Sequence, residues 1–406
     1  MSPRARLVLV VICAGLIAWL SIGIRQTFGL FMQPISLDFG WGREVFAFAL
    51  ALQNLIWGLG QPFAGAFADR YGSGRVVVIG SLIYALGVYL MAETSGAWQI
   101  YLSSGFLIGF GLSATSFTVV LAAVGRLVSP DRRSLAFGFT TAIGSFGQFA
   151  MVPLGQSFLE AYGWSTALLL LAACLLVMMP LAAGLAKRRT ESVVPERTAQ
   201  NVGAALREAA GHAGYRYLMA GFFVCGFQVT FIAVHLPAYL VDAGIDASIG
   251  AWALSLVGLF NVAGSLLCGY LGGRYSKKNV LSMLYLGRAL VITVFLILPV
   301  SVTSTLLFAS VMGVLWLGTV PLTSGLVAQI FGMRHMGTLF GVVFLGHQMG
   351  SFTGVWLGGY LYDATGTYDV VWWIAIALGV AAAILHWPID ERSVDRPIPA
   401  AAVEHA

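Results

Sequence analysis

Residues 7–34 read LVLVVICAGLIAWLSIGIRQTFGLFMQP, an apolar run that contains a single charged side chain, Arg25. A helix needs about 20 apolar residues to cross the hydrocarbon core of a bilayer, so this run is long enough to span a membrane. Arg4 and Arg6 precede the run, as basic residues precede a signal peptide, but the run is too long for one. It therefore predicts a membrane-spanning helix.

The rest of the chain repeats this pattern. Of its 406 residues, 59% are hydrophobic and 10% are charged, and the mean hydropathy is +0.86. Soluble domains carry about 25% charged residues, and a soluble protein could not bury this much apolar surface. We therefore predict an all-α integral membrane protein with twelve transmembrane helices. The twelve runs are 7–34, 44–68, 75–92, 97–127, 133–159, 164–186, 215–241, 248–272, 279–299, 302–330, 337–362 and 368–388.

The positive charges lie on one side of these spans. If both termini are cytoplasmic, the 22 Lys and Arg divide into 19 on cytoplasmic segments, one outside (Arg43) and two within spans (Arg25 and Arg288). This bias predicts the orientation, with both termini in the cytoplasm, and a location in the cell membrane. It also accounts for the isoelectric point of about 9.1, so we expect lipid bilayer and no nucleic acid as a partner.

The chain divides into two halves. Residues 187–214 are polar and separate an N-terminal six-helix bundle, 1–186, from a C-terminal one, 215–388. Residues 389–406 are polar, contain two prolines and predict a disordered cytoplasmic tail. Shifting the chain by 203 or 204 residues aligns several glycines and other residues of the two halves, for example Arg70 with Arg274. The halves therefore predict two pseudo-symmetric repeats in parallel orientation.

A motif between spans two and three resembles a family signature. It reads GAFADRYGSGR, with Gly65, Asp69, Arg70, Gly72 and Arg75 at the motif positions. It resembles the G-x-x-x-D-R-x-G-x-x-R signature of the major facilitator superfamily. A degenerate copy with Gly269 and Arg274, but without the acid, lies between spans eight and nine.

The resemblance implies a fold and a mechanism. The fold is two six-helix bundles, and the activity is secondary transport by alternating access, in which the halves rock around a site near mid-membrane. The motif residues then serve conformational gating. The resemblance implies neither an enzyme nor a cofactor, and the sequence shows no metal-ligand pattern.

Cationic side chains dominate the interior of the spans. Charges inside a bilayer are costly and mark function by default, and here they are Arg25 and Arg288, with His235 and His347 as titratable groups. No carboxylate lies deep in a span, so the interior favours an anion. Arg25 can bind a carboxylate through two hydrogen bonds, whereas Arg288 lies in a peripheral span and suggests a structural role. His235 and His347 are the candidate proton carriers.

Other polar residues share helix faces with these groups. In span seven, the i, i+4, i+7, i+11 spacing places Gln228, His235 and Tyr239 on one face. Polar residues inside membrane spans often serve as contacts between helices, so packing is the alternative at each position. The full set of candidate substrate-binding residues is Arg25, Asn54, Gln61, Gln148, Gln228, His235, Tyr239, Asn261, His347 and Gln348.

A narrower resemblance concerns the substrate. The Ser-Ile-Gly stretch beginning at Ser21, followed by basic Arg25, is similar to the monocarboxylate porters and oxalate:formate exchangers. That branch places an acid or Asn in span eight and an Arg four residues later; here Asn261 is followed by Ser265. We expect a transporter of a small organic anion, a mono- or dicarboxylate, by proton symport or anion exchange. The alternative is an exporter of neutral or amphipathic compounds.

Overall fold

The structure is a computed structural model that describes residues 3–125, 130–185, 202–332 and 335–394. Within these ranges every regular element is helical. A π-helical segment, Tyr101–Leu107, joins the helix Ala97–Ile100 to the helix Ile108–Thr115. The helices are α1 (Pro3–Phe39), α2 (Arg43–Tyr71), α3 (Ser73–Ala92), α4 (Ala97–Ile100), α5 (Ile108–Thr115), α6 (Phe117–Gly125), α7 (Pro130–Leu176), α8 (Met178–Ala183), α9 (Val202–Gly211), α10 (Ala213–Asp242), α11 (Ala247–Arg274), α12 (Lys277–Ile297), α13 (Val302–Val314), α14 (Thr319–Phe331), α15 (Met336–Thr365) and α16 (Asp369–His386).

These helices correspond to the twelve predicted spans. Span four runs from α4 to α6, and span ten is divided into α13 and α14. Spans five and six share α7, which bends at Gly163, where φ is 76°. A positive φ costs glycine little because it has no Cβ, and this allows the chain to turn back between two crossings. The all-α fold class is confirmed.

Two long helices, α2 and α15, are less apolar than the other membrane-spanning helices. Among the described residues, nine helical segments are long and apolar enough to cross a membrane. The set omits α2 and α15, which have 29 and 30 residues, so composition and not length separates them from the others. The two helices pack against each other. Polar residues are therefore concentrated where the two halves meet.

One hydrogen bond recurs in both halves. In the first half Ser21 Oγ lies 2.8 Å from Thr115 Oγ1, and in the second half Cys225 Sγ lies 3.2 Å from Thr319 Oγ1. Each pair is separated by 94 residues, and the offset between the pairs equals the sequence repeat of 204. Thr115 ends α5 and Thr319 begins α14, so each bond lies beside a break in its span. The repeat seen in the sequence is thus present in the local structure.

Within the described residues the two halves meet mainly through α1 with α10, α2 with α15, and α7 with α11, and α1 also contacts α11. Along α2 and α15 the contact extends from Gly42, beside Asp363, to Gly58, beside Gln348. Farther along, Gly65 and Gly341 have open space beside them. The halves therefore touch at one end, which we call the Arg43 end, and part toward the other, which carries the Gly65 motif and which we call the motif end.

The C-terminal segment differs from the predicted disordered tail. Residues 389–394 are ordered against the second half: Ile389 is fully buried, and the Val394 N–H donates to the Ile330 carbonyl oxygen at 2.9 Å. An apolar side chain and a capping acid, Glu391, hold it there, and sequence polarity alone does not reveal either contact. Residues 395–406, and the linker residues 187–201, lie outside the described ranges.

Candidate functional site

Arg25, which lies half-buried on α1, is the centre of the site. Its Nη2 donates a hydrogen bond to Oδ1 of Asn54 on α2. Asn54 in turn donates from Nδ2 to the Leu50 carbonyl oxygen at 2.8 Å. Because that second bond uses the amide N–H group, it orients the amide oxygen toward Arg25. A neutral partner therefore holds the guanidinium in place.

Trp57 supports the same guanidinium. Arg25 Cζ lies 5.1 Å from the centroid of the Trp57 ring, within the range of an attractive cation–π contact. Trp57 Nε1 donates to Gln61 Oε1 at 2.9 Å, and Gln61 Nε2 donates to the Ser113 carbonyl oxygen at 3.3 Å. Asn54, Trp57 and Gln61 thus form one stripe of α2 that positions Arg25.

The charge of Arg25 is not balanced by an acid. Among the described residues its side chain forms no ion pair, and its Nε is buried without a hydrogen-bond partner. A buried cation costs free energy unless it is paired and hydrogen-bonded. The site can therefore gain from an anion that enters beside Arg25.

A small cavity adjoins the guanidinium. Arg25, Asn54, Gln26 and Gln53 supply its polar lining, and Ala233 and Val234 of α10 close it from the second half. Its volume is about 10 Å³, roughly the space that one water molecule needs. An organic anion therefore requires the halves to separate further before it can reach this position.

Residues of the second half approach the α2 stripe. Phe344 of α15 packs edge-on against Trp57, with 5.8 Å between ring centroids, and His347 stacks on Phe344 at 5.7 Å. His347 Nδ1 lies 3.2 Å from Gln348 Oε1, and Gln348 Nε2 is buried without a hydrogen-bond partner. Two of the predicted residues, His347 and Gln348, are therefore at the interface beside Trp57.

A charged cluster closes the Arg43 end. Arg43 at the start of α2 donates from Nη1 and Nη2 to the two oxygens of Asp242 at 2.6 Å each, and from Nη1 to the Tyr368 hydroxyl at 3.0 Å. Burial lowers the pKa of Arg43, but hydrogen bonds and charge attraction from Asp242 and Tyr368 together raise the pKa by more, so the group stays charged. This two-pronged pair joins the first half to the second.

Asp363 of α15 caps α2 across the same interface. Its carboxylate accepts the Arg43 N–H at 2.9 Å and the Glu44 N–H at 2.8 Å, while Glu44 Oε1 accepts from Trp356 Nε1 at 3.0 Å. First-turn N–H groups have no partner inside their own helix, so a carboxylate there is favourable. We call Arg43, Glu44, Asp242, Trp356 and Asp363 the Arg43 latch.

The amino-acid sequence matches a known family model over nearly its whole length. The description of that model is Major Facilitator Superfamily, and it matches residues 11–318 and 218–405. The chain belongs to the Major Facilitator Superfamily. The wider resemblance inferred from the Gly65 motif is thereby confirmed.

Similar proteins named as transporters extend over nearly the whole chain. Monocarboxylate transporter 13 of Bos taurus is 28% identical over 379 residues, which cover 92% of this chain and 87% of that protein. Monocarboxylate transporter 11 of Homo sapiens is 25% identical, with coverages of 90% and 79%. The uncharacterized MFS-type transporter YcxA of Bacillus subtilis is 24% identical, with coverages of 89% and 90%. This superfamily member is therefore a transporter and not an enzyme, and it is similar to monocarboxylate transporters.

Solved structures share the fold. The crystal structure of a D-xylose-proton symporter superposes with a TM-score of 0.76 at 15% identity, covering 97% of this chain and all of that one. A bacterial homolog to the human lysosomal transporter Spinster, in an inward-facing and occupied conformation, gives 0.71 at 14% identity, with coverages of 95% and 97%. At these identities the likeness concerns the fold of the transporter alone.

The span-seven candidates do not face Arg25. Gln228 donates to the Ala375 carbonyl oxygen at 2.9 Å, and Tyr239 packs against aromatic rings of α12 and α16. His235 is 1% exposed; its Nε2 lies 2.8 Å from the Val355 carbonyl oxygen and its Nδ1 lies 3.2 Å from the Tyr368 hydroxyl. The predicted face packs inside the second half of the transporter, and the Tyr368 hydroxyl links His235 to Arg43 of the latch.

Asn261 lies at the break in span ten. Its Oδ1 accepts the Leu317 N–H at 3.0 Å. Arg288, fully buried, donates from Nε to the Leu315 carbonyl oxygen at 2.8 Å and from Nη2 to that of Trp316. The two side chains satisfy backbone groups that the break leaves without helical partners.

Gln148 lies at the contact between the halves formed by α7 and α11. Its Nε2 donates to the Leu254 carbonyl oxygen at 2.8 Å, and its side chain lies against Gly258. Of the ten candidate substrate residues, the structure thus places Arg25, Asn54, Gln61, His347 and Gln348 around Trp57 and its neighbour Phe344. It places Gln148, Gln228, His235, Tyr239 and Asn261 elsewhere.

The motif residues lie at the open end. Gly72 turns the chain between α2 and α3 with a φ of 91°, which favours glycine. Arg70, Arg75 and Arg274 are exposed, and Gly65 and Gly269 have open space beside them. Asp69 lies within α2, but its side chain is outside the described residues. In this conformation the described motif side chains are therefore accessible.

The Arg43 latch was not among the predicted sites. Asp242 and Asp363 lie 199 and 320 residues from Arg43 in sequence, so no local pattern connects them. The available signal was the position of Arg43, which is the one basic residue expected on the outer side.

We expect Asp242→Asn to weaken closure at the Arg43 end, because it removes the charge that binds Arg43. Ala47→Cys supplies the reporter: Ala47 is fully buried and its Cβ lies where α2 meets Gly359. Losing a charged hydrogen-bond partner costs about 1.5–3 kcal/mol, so a membrane-impermeant maleimide should label this cysteine roughly tenfold faster. Asp246→Asn is the control, since Asp246 caps α11 within one half. Equal labelling rates in the two variants would show that Asp242 does not help to hold the Arg43 end closed.

Proposed function

We propose that this transporter carries a small organic anion, a mono- or dicarboxylate, by alternating access. One observation carries the proposal: the guanidinium of Arg25 is held by neutral Asn54 and Trp57, and its Nε has no partner. A carboxylate can accept two parallel N–H bonds from such a group and supply the missing charge. The relatives named monocarboxylate transporters support the same substrate class.

Binding of the anion explains why the halves can close. An unpaired cation opposes removal of water from the site, whereas a neutral arginine–carboxylate pair does not. The structure is latched at the Arg43 end and open at the motif end. With the charge-based orientation, which places both termini in the cytoplasm of a cell-membrane protein, the anion approaches from the cytoplasmic side and reaches Arg25 once the halves separate further at the motif end.

Either a proton or a counter-anion completes the cycle in this proposal. A proton that moves with the anion makes the cargo neutral, so the membrane potential opposes its movement little. His347 is the better placed carrier, because it stacks on Phe344 beside Trp57, and His235 is the second candidate. A pH-sensitive dye inside proteoliposomes separates the two modes: symport acidifies the lumen, and one-for-one exchange does not.

The Arg25 variants test the substrate class. In proteoliposomes, we expect Arg25→Gln to reduce uptake of radiolabelled short-chain carboxylates such as acetate, lactate and oxalate by roughly 10- to 100-fold, because charged hydrogen bonds are worth about 1.5–3 kcal/mol. Arg25→Lys keeps the positive charge but loses the planar guanidinium that donates two parallel hydrogen bonds, so it should raise the KM for carboxylates. Wild-type transport kinetics in both variants would reject Arg25 as the residue that binds the carboxylate.

The alternative function is export of neutral or amphipathic compounds. The aromatic rings of Trp57 and Phe344 at the interface favour it, since they offer apolar contact area. Competition distinguishes the two: short-chain carboxylates should displace a fluorescent amphipathic probe only if both occupy the Arg25 site. Probe binding that carboxylates do not displace, and that persists in Arg25→Gln, would favour the alternative.

A further inference from the structure

The second copy of the Gly65 motif lacks its acid, and the C-terminal segment provides one. No acid occurs between Gly269 and Lys278, whereas the first copy contains Asp69. α12 begins at Lys277 directly after this copy, and the side chain of its N-cap residue, Ser276, makes no capping hydrogen bond. The helix start therefore needs an acceptor from elsewhere.

Glu391 is that acceptor. Its Oε1 accepts the Lys278 N–H at 2.6 Å and the Ser276 hydroxyl at 3.1 Å. Lys278 is the second residue of α12, and its N–H is one that a capping side chain normally binds. A carboxylate at this position also interacts favourably with the positive end of the helix dipole. Glu391 thus caps α12 from a distance of 113 residues.

The segment around Glu391 also binds a second helix. Gln329 of α14 donates from Nε2 to the Glu391 carbonyl oxygen at 3.0 Å, and Lys277 Nζ donates to Gln329 Oε1 at 2.7 Å. The Val394 N–H bonds to Ile330, and Ile389 is fully buried just after α16. One short segment therefore connects the start of α12, the end of α14 and the end of α16.

We propose that residues 389–394 form a strap that replaces the missing motif acid and ties these three helix ends together at the motif end of the second half. In the first half the motif carries its own acid, Asp69. α14 is the portion of the broken span that lies nearer the motif end, and its last turn is where the segment binds. The strap makes the helix ends move as one body when the halves rock.

Hydrogen exchange of the full-length protein in detergent tests the strap without any cargo. We expect Glu391→Ala to increase exchange roughly fivefold at the start of α12 and at the end of α14, as for loss of a helix cap. Asp390→Ala is the matched control, because Asp390 bonds only within the segment, to exposed Arg392. It should leave both helix ends unchanged.

A second variant separates capping from strapping. Ser276→Asp in the Glu391→Ala background places an acid at the N-cap itself, and should restore slow exchange in α12 but not in α14. The proposal is overturned if Glu391→Ala changes neither helix, if it changes α12 alone, or if Asp390→Ala has the same effect. None of these variants touches the Arg25 site, so the result does not depend on the proposed cargo.

Discussion

Replacing Asn54 with aspartate, which differs by one charge and almost nothing in shape, is expected to abolish carboxylate transport. Asn54 Oδ1 accepts the hydrogen bond from Arg25 Nη2. An aspartate there would accept the same bond and also neutralise the guanidinium. The site would then be a closed ion pair, and an entering anion would face a carboxylate that already occupies its place.

The expected loss of carboxylate affinity is large because Asn54→Asp removes the attraction of an unpaired Arg25 and adds repulsion from a second carboxylate. Charged hydrogen bonds to Arg25 are worth about 1.5–3 kcal/mol, so their loss lowers affinity by roughly 10- to 100-fold before repulsion is counted. Binding of short-chain carboxylates to purified protein, measured by calorimetry or thermal shift, checks this. The protein should remain folded, since the new charge has a partner.

Asn261→Asp is the matched control for this experiment. Asn261 is also a buried asparagine, but its oxygen accepts from the Leu317 N–H and the Ser265 hydroxyl, and not from Arg25. Aspartate keeps both acceptor functions there. Carboxylate binding should survive this change. If Asn54→Asp binds carboxylates as tightly as the wild type, Arg25 is not the anion site.

The fold could be predicted because hydrophobicity determines it. Each span is a long apolar run, and the bilayer leaves helices as the main way to satisfy the backbone. The break in span ten could not be predicted, since residues 302–330 read as one run. Its position depends on Arg288 and Asn261, which supply partners for the freed backbone groups from other helices.

The candidate site was predicted in part for a similar reason. Helical spacing correctly places Gln228, His235 and Tyr239 on one face, but spacing does not determine which neighbour that face meets. In the structure that face packs against the second half's own helices, as the bonds to Ala375 and Val355 show. Arg25 and Asn54 could be recognised because a charge inside a bilayer calls for nearby polar partners.

The break in span ten leads to the second large effect: we expect Arg288→Met to destabilise the transporter strongly. The variant keeps much of the side-chain volume but leaves the carbonyl oxygens of Leu315 and Trp316 buried without donors. Each unsatisfied carbonyl costs about 1–3 kcal/mol, so the loss should be about 2–6 kcal/mol. Thermal unfolding in detergent, followed by tryptophan fluorescence, measures it.

Two opposing terms decide the size of this effect. Removing a buried charge also removes its desolvation cost, which alone would stabilise the variant. The carbonyls, however, are at the end of α13, where a positive charge offsets the helix dipole as well as donating hydrogen bonds. Arg288→Lys keeps the charge but cannot donate to both carbonyl oxygens at once, so its stability should fall between those of the wild type and Arg288→Met.

The control is Arg392→Met, at an exposed arginine. This variant should change the free energy of unfolding by less than about 0.5 kcal/mol. If Arg288→Met matched that control, desolvation would outweigh the lost bonds, and the broken turn would have to be held by Asn261 and the Cys225–Thr319 contact instead.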